Sequence, residues 1–148
     1  MKRSVFILVA AGALLGVAAA STLASSGTRA AKARIAIVAK GHGGSGTFTY
    51  RDRNGAVKDS GLAADAGGGK AFFDGKKGTF YIKWGGPELD AGNGWSVSTG
   101  KWSFVRGTGK YAATGKYAGI SGGGRFAGVF NLDLREFVRF GGLATGGP

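Results

Sequence analysis

Residues 79–84, Thr-Phe-Tyr-Ile-Lys-Trp, alternate in character with a period of two. Phe80, Ile82 and Trp84 share one face of this segment, and the intervening side chains share the other. A two-residue period is typical of a β-strand that buries one face, because successive side chains of an extended chain point to opposite sides. The segment therefore predicts a strand whose apolar face points into a core.

Similar short segments occur on both sides of this strand, from Ile35 onward. Turn-forming residues separate them at intervals of roughly 8–12 positions, and Asn54-Gly55 is a typical two-residue hairpin turn. We count about eight or nine strands, which fit a sandwich or a closed barrel. Glycine makes up 31 of the 148 residues, and it favours the barrel because it permits the sharp coiling that closure requires. We predict an all-β domain over residues 35–148, a single closed antiparallel β-barrel of about eight strands.

The longest alternating run, Phe126–Phe140, places its apolar side chains at even positions, including Leu132 and Leu134. As one strand it would span about 50 Å, which is too long for a domain of this size. We therefore expect a turn or bulge near Arg135-Glu136. The alternative is one continuous bent strand with Glu136 pointing inward, and an inward carboxylate would be a clue to function.

The N-terminal residues have the organisation of an export signal. Two basic residues precede an apolar run, Val5–Ala20, which ends in small side chains suited to signal-peptide cleavage. An uncleaved membrane anchor is the alternative, although the run is shorter than the ~20 residues that a span needs. We predict a signal peptide over residues 1–20, a flexible leader over residues 21–34, and a secreted or periplasmic protein.

The chain is strongly basic, with 20 Lys and Arg, 8 Asp and Glu and a formal net charge of +12. Such a charge attracts anionic polymers, for example envelope polysaccharide, lipid head groups or extracellular nucleic acid. A general contribution to solubility is the alternative explanation. No motif indicates specific nucleic-acid recognition, so we expect no specific nucleic-acid partner.

Composition and context exclude several kinds of site. With no Cys and one His, the chain cannot build a thiolate or histidine-rich metal site. Gly41–Gly46 matches a dinucleotide-binding glycine pattern, but an alternating segment follows where such a site needs a helix. Gly119–Gly123 matches a nucleophile-elbow pattern, but the His lies upstream of it. We predict no cofactor, no metal and no assignable catalytic residue.

The aromatic face of the predicted strands is the candidate ligand site. Its side chains form either a packed core or the lining of a cavity, and both interpretations stay open. In the second case a small apolar or aromatic ligand would bind in the barrel interior. The candidate ligand-binding residues are Phe48, Tyr50, Phe80, Trp84, Trp102, Phe104, Phe126, Phe130 and Glu136.

Two parts of the chain resemble small secreted bacterial β-barrel proteins that are grouped with the allene oxide cyclase and dirigent-like barrels. Lys101–Tyr111 and Gly115–Gly124 match the family's Trp, Gly-Thr-Gly, Tyr and glycine positions, and Gly46–Phe48 with Val57–Gly61 is similar to its N-terminal hairpin. The resemblance implies an eight-stranded barrel, often trimeric in the plant members, and carries over no catalytic site. The chain departs from the pattern by repeating a Gly-Lys-Tyr-Ala unit, which we expect to lengthen a hairpin.

We therefore expect a ligand-binding barrel rather than an enzyme. One alternative is an isomerase or cyclase that acts on an unsaturated ligand in the interior, steered by Glu136, Tyr50 or Tyr111. Another is an envelope protein that binds anionic polymers through its basic surface. A homo-oligomer, a trimer by family resemblance, is compatible with each of them.

Overall fold

Nine β-strands and two short 3-10 turns make up the part of the chain that the computed structural model describes, residues 31–107 and 109–148. The predicted signal peptide and residues 21–30 of the predicted leader lie outside the described residues. The first strand begins at Ala33, two residues before the predicted start of the domain. In chain order the strands are β1 Ala33–His42, β2 Ser45–Arg51, β3 Val57–Gly67, β4 Lys70–Gly75, β5 Gly78–Gly85, β6 Glu88–Gly92, β7 Trp95–Phe104, β8 Ser121–Asn131 and β9 Arg135–Thr145.

Eight of these strands close into an antiparallel barrel. They pair in the order β5-β4-β3-β2-β1-β9-β8-β7, and β5 pairs with β7 to complete the ring. Closure uses the second half of β7, from Lys101 to Phe104. β6 pairs with the first half of β7, so this hairpin extends beyond the point of closure. The prediction of a closed antiparallel barrel of about eight strands is confirmed.

Inward positions carry the core, because successive residues of each strand alternate between the interior and solvent. Aromatic rings dominate these positions and pack largely edge to face. Trp84, Trp102, Gly124 and Gly142 are successive cross-strand neighbours in one inward row. At the two glycines the neighbouring backbones approach so closely that an added Cβ would overlap a carbonyl oxygen of the adjacent strand.

The long alternating run forms β8 and β9, joined by a tight turn at residues 132–134. The turn lies just before the predicted position. Glu136 is the register partner of Phe130 and lines the interior, so the carboxylate points inward although the strand is not continuous. Leu132 and Leu134, which the alternation places at even positions of the run, lie in the turn and are 84% and 62% exposed.

Gly141 and Gly142 form a matched pair for testing the close approach of β9 to β8. An added Cβ at Gly142 would overlap the carbonyl oxygen of Gly123, whereas an added Cβ at Gly141 would meet open space. We expect Gly142→Ala to lower the free energy of unfolding by about 1–3 kcal/mol, because overpacking displaces the backbone. Gly141→Ala should leave it unchanged or raise it slightly. Urea unfolding measures both values, and equal stabilities would contradict this packing.

Candidate functional site

One end of the barrel is closed by the connection between β7 and β8, which contains the repeated Gly-Lys-Tyr-Ala units as two 3-10 turns. Tyr117 turns inward from this connection, fully buried, with its ring centroid 4.5 Å from that of Phe80. Its hydroxyl donates a hydrogen bond to the buried Asp59 carboxyl at 3.0 Å. The backbone N–H groups of Lys76 and Lys77 donate to the same carboxyl. Asp59 and Tyr117 thus form a satisfied polar plug at the closed end.

The two tyrosines considered for catalysis lie away from any inward-facing space. Tyr50 is buried in the closed end, with its ring centroid 5.6 Å from that of Tyr117. Tyr111 lies on the outer wall against Tyr81, with centroids 5.3 Å apart. One is part of the core and the other is part of the outer surface.

Tyr50 and Tyr117 make the stability of the fold depend on pH in the alkaline range. Burial raises the pKa of Tyr50 from 10.0 to about 12. Burial and the hydrogen bond to Asp59 also raise the pKa of Tyr117. The unfolded chain therefore releases these two protons at lower pH than the folded chain. The contribution of the two protonated tyrosines to the free energy of unfolding is complete below pH 10 and is lost as pH rises through their folded pKa values. We expect the free energy of unfolding to fall above pH 10, and to fall less steeply in Tyr117→Phe. Urea unfolding across this range, with Tyr111→Phe as the control, tests the expectation; identical slopes in all three proteins would contradict it.

The other end of the barrel holds a cavity of about 310 Å3. Small residues create it, because Ala39 on β1, Ala63 on β3 and Ala71 on β4 line it from inward positions that carry rings elsewhere in the barrel. The missing side-chain volume remains as open space. The larger walls come from Phe73, Trp84, Val138 and Phe140.

Trp84, a residue of the cavity wall, carries a hydrogen-bond donor that is unpaired among the described residues. Its indole N–H is buried and has no acceptor among residues 31–107 and 109–148. Three phenylalanine rings hold the indole in place, at centroid distances of 5.0, 6.5 and 5.8 Å. The buried indole N–H of Trp102, by contrast, donates to the Gly141 carbonyl at 3.1 Å. A buried donor without an acceptor costs about 1–3 kcal/mol, so a ligand oxygen that accepts from Trp84 would be stabilising.

Glu136 lies at the rim, where it lines both the cavity and an outer cleft. The side chain is half-buried, and Gly41 beside it leaves it room: an added Cβ there would come within 2.7 Å of the Glu136 Oε1. Desolvation raises the pKa of Glu136, the nearby Asp65 raises it further, and His42 acts in the opposite direction. The rim therefore carries a carboxyl group that holds its proton to higher pH than an exposed glutamate.

The mouth of the barrel is acidic although the whole chain is basic. An outer cleft of about 980 Å3 lies over the cavity, between the turns that join β1 to β2, β6 to β7 and β8 to β9. Four of the chain's eight acidic residues line it, against one basic residue, Arg135. A negative mouth repels anions and admits neutral or cationic molecules. The four are Asp65, Glu88, Asp90 and Glu136.

The nine predicted ligand-binding residues fall into three places. Trp84 and Glu136 line the cavity. Phe130 lines the outer cleft. The other six pack together in the core: Phe48, Tyr50, Phe80, Trp102, Phe104 and Phe126.

Sequence reasoning missed the small residues that make the cavity. The predicted ligand-binding residues are mostly the large side chains of the aromatic face. The cavity depends instead on Ala39, Ala63 and Ala71, and on Phe73 beside them. A signal was present, since alanine or glycine at an inward position indicates missing volume in a closed barrel. Which small residues face one another depends on strand register, which the alternation does not define.

Glu136 makes the free energy of unfolding fall as pH rises through the acidic range, whereas a carboxylate paired with a cation makes it rise. Its pKa is raised above the ordinary value of 4.5 in the folded protein, so the stability that its protonated form provides is full below 4.5 and is lost as pH rises through the folded pKa. We expect Glu136→Gln to melt at a higher temperature than the wild type at pH 7 and at the same temperature at pH 4. Glu88→Gln, at an exposed position of the same cleft, is the control. A lower melting temperature for Glu136→Gln at pH 7 would contradict this.

The part of the chain that the structure describes holds no group of three or more His, Asp and Glu side chains placed to bind a metal ion. Within the same residues, no helix has the length and apolar character needed to cross a membrane.

No family model, curated protein or solved structure matches this chain. The cavity and its mouth are therefore the structural features that bear most directly on function.

Proposed function

We propose that this chain binds a small apolar or aromatic ligand in the cavity at the open end of its barrel. The observation that carries the proposal is the buried indole N–H of Trp84, which belongs to a residue of the cavity wall and has no acceptor among the described residues. A ligand oxygen would accept this hydrogen bond and offset the cost of burying the donor. The proposed ligand therefore has an apolar body and one hydrogen-bond acceptor.

The size and walls of the cavity favour a compact ring system. A volume of about 310 Å3 lies at the lower end of the range for small-molecule sites. The rings of Phe73 and Phe140 meet nearly at right angles, with centroids 6.3 Å apart, and offer edge and face contacts to a planar ligand. Core rings fill the barrel below the cavity, so a long acyl chain would have no space to extend.

The charge of the mouth favours a neutral or cationic ligand. Asp65, Glu88, Asp90 and Glu136 line the approach to the cavity with Arg135 as the one basic residue among them, so the net charge there is negative and repels an anion. Glu136 also lies within the cavity wall, where its carboxyl can accept a hydrogen bond from a ligand hydroxyl or amine or, when protonated, donate one. The proposed ligand is thus an uncharged or cationic aromatic molecule with polar groups at both ends.

The proposal also includes the location of the protein and its family. The basic and apolar N-terminal residues support a secreted or periplasmic location. The match of Lys101–Tyr111 supports kinship with the allene oxide cyclase and dirigent-like barrels. That kinship would favour a trimer, in which each barrel carries its own cavity.

A second candidate function, isomerisation or cyclisation of an unsaturated ligand, is favoured by the position of Glu136. A half-buried carboxyl with a raised pKa at the rim of a cavity can act as a general acid or base. Containment of the ligand would supply most of the rate through orientation. Turnover by the wild type and its loss in Glu136→Gln, with binding retained, would support this function.

The Trp84 hydrogen bond can be tested with two probes of the same shape, 2-acetylnaphthalene and 2-ethylnaphthalene. Trp84→Phe keeps an aromatic wall and removes the donor. We expect it to weaken the binding of 2-acetylnaphthalene by about 3- to 10-fold, the effect of one net hydrogen bond, and to leave the binding of 2-ethylnaphthalene unchanged. Fluorescence titration or calorimetry measures both dissociation constants.

Filling the cavity provides the matching steric test. Ala63→Leu places a larger side chain in the cavity wall and should abolish binding of both probes, while Ala127→Leu makes the same change on the exposed face of β8 and should not. The absence of binding by the wild type would contradict the proposal. So would unchanged binding by a folded Ala63→Leu variant.

A further inference from the structure

A groove of about 510 Å3 crosses the outer wall of the barrel over β2, β1 and β9. Its floor consists of small residues, chiefly Ala36 and Gly141, so the wall is depressed where neighbouring strands carry long side chains. An added Cβ at Gly141 would meet open space. The groove is lined by four arginines, Arg34, Arg51, Arg53 and Arg139.

Strand register extends this arrangement into a row that curves around the outer wall of the barrel. In strand order the successive cross-strand partners are Arg51, Ala36, Gly141, Arg125 and Lys101. All of them face outward, because each is adjacent along its strand to at least one inward core residue. The row has cations at both ends and small residues between them. Measured along the curved wall, the row is four strand spacings long, about 19 Å, and it covers half of the eight-strand ring, so its two ends face away from each other.

Two further arginines flank the floor of the groove. Arg139 precedes Gly141 by two positions on β9, and Arg34 precedes Ala36 by two positions on β1. A separation of two keeps each side chain on the same face of its strand as the floor residue. Cations therefore surround the floor both along the strands and across them.

Carboxylates do not balance these cations. In residues 31–107 and 109–148 there is one salt bridge, in which Lys58 holds Asp52 at 3.0 Å, and Asp52 is the acidic residue of the groove lining. Lys101 and Arg125 stand directly opposite one another, and like charges in that position destabilise a sheet. An anion bound between them would remove that repulsion and stabilise the folded chain.

The chemistry of the row suits phosphate. Guanidinium groups present a planar fork of donors that matches the oxygens of a phosphate group. Arg51 is already oriented, since its Nη1 donates to the Gly55 carbonyl at 2.8 Å. One phosphate group is far smaller than the row, whereas a chain of phosphates could contact all of its cations in turn.

We propose that a linear polymer of phosphate groups binds in this groove and continues around the wall along the row from Arg51 to Lys101. The site is separate from the cavity, and the two favour ligands of opposite charge, because the mouth of the barrel is acidic and this wall is basic. The groove could thus hold the protein on an anionic polymer while the cavity stays open to a neutral ligand.

Inorganic polyphosphate is the probe for this site, and two double variants separate the groove from net charge. Arg34→Gln with Arg139→Gln removes two cations of the groove, while Lys83→Gln with Lys116→Gln removes two exposed cations elsewhere. We expect the first double variant to bind polyphosphate about tenfold more weakly at physiological salt. The slope of log binding constant against log salt concentration should become shallower by about one for each arginine removed. The control should stay close to the wild type. Equal losses in both double variants would overturn the proposal in favour of net charge.

Filling the floor tests the groove without changing charge. Gly141→Leu should weaken polyphosphate binding, whereas Gly141→Ala, which leaves most of the depression, should not; thermal unfolding confirms that both fold. Unchanged binding by Gly141→Leu would overturn the proposal.

Orthophosphate bound as tightly as polyphosphate would indicate a site for a single anion instead, and tighter binding of single-stranded DNA would indicate a nucleic-acid partner. Either result would overturn the polymer assignment. Because the cavity variants leave this wall intact, failure here is distinguishable from failure of the ligand proposal.

Discussion

The interior volume of a closed eight-stranded barrel is nearly fixed, and it is just wide enough for inward side chains to fill. In this chain those side chains are unequally distributed. Tyr50, Phe80 and Tyr117 are fully buried at the closed end, whereas alanines at the open end leave about 310 Å3. The same inward alternation therefore produces a stable core and a ligand cavity in one small domain.

Buried polar groups follow the same asymmetry. At the closed end Asp59 accepts from backbone N–H groups and from the Tyr117 hydroxyl, so its burial is compensated. At the open end the Trp84 N–H has no acceptor in the part of the chain that the structure describes, and Glu136 is held in a half-buried, protonation-favouring position. The buried polar groups of the closed end thus find their partners within the protein, whereas those of the open end are suited to bind a ligand. Charge is divided in a parallel way, with an acidic mouth and a basic outer wall.

Local patterns were sufficient to predict most of the fold. The two-residue period located the strands, the glycine content favoured closure, and the length of the run to Phe140 required a turn close to the one observed at residues 132–134. The plug was not predictable, because the connection that carries Tyr117 has no period and its partner Asp59 is 58 residues away. The cavity and the arginine groove depend on register, which brings together residues that are distant along the chain. Arg51 and Arg125, for example, become members of one row only once β2, β1, β9 and β8 are paired.

The unequal filling of the interior is tested most directly by a crystal structure of the protein under xenon pressure, since xenon enters apolar cavities without requiring a particular hydrogen bond. We expect xenon density at the open end, between Phe73, Trp84 and Phe140, and none at the closed end around Tyr50 and Tyr117. Xenon at the closed end, or a fully packed open end without xenon, would contradict this description of the barrel.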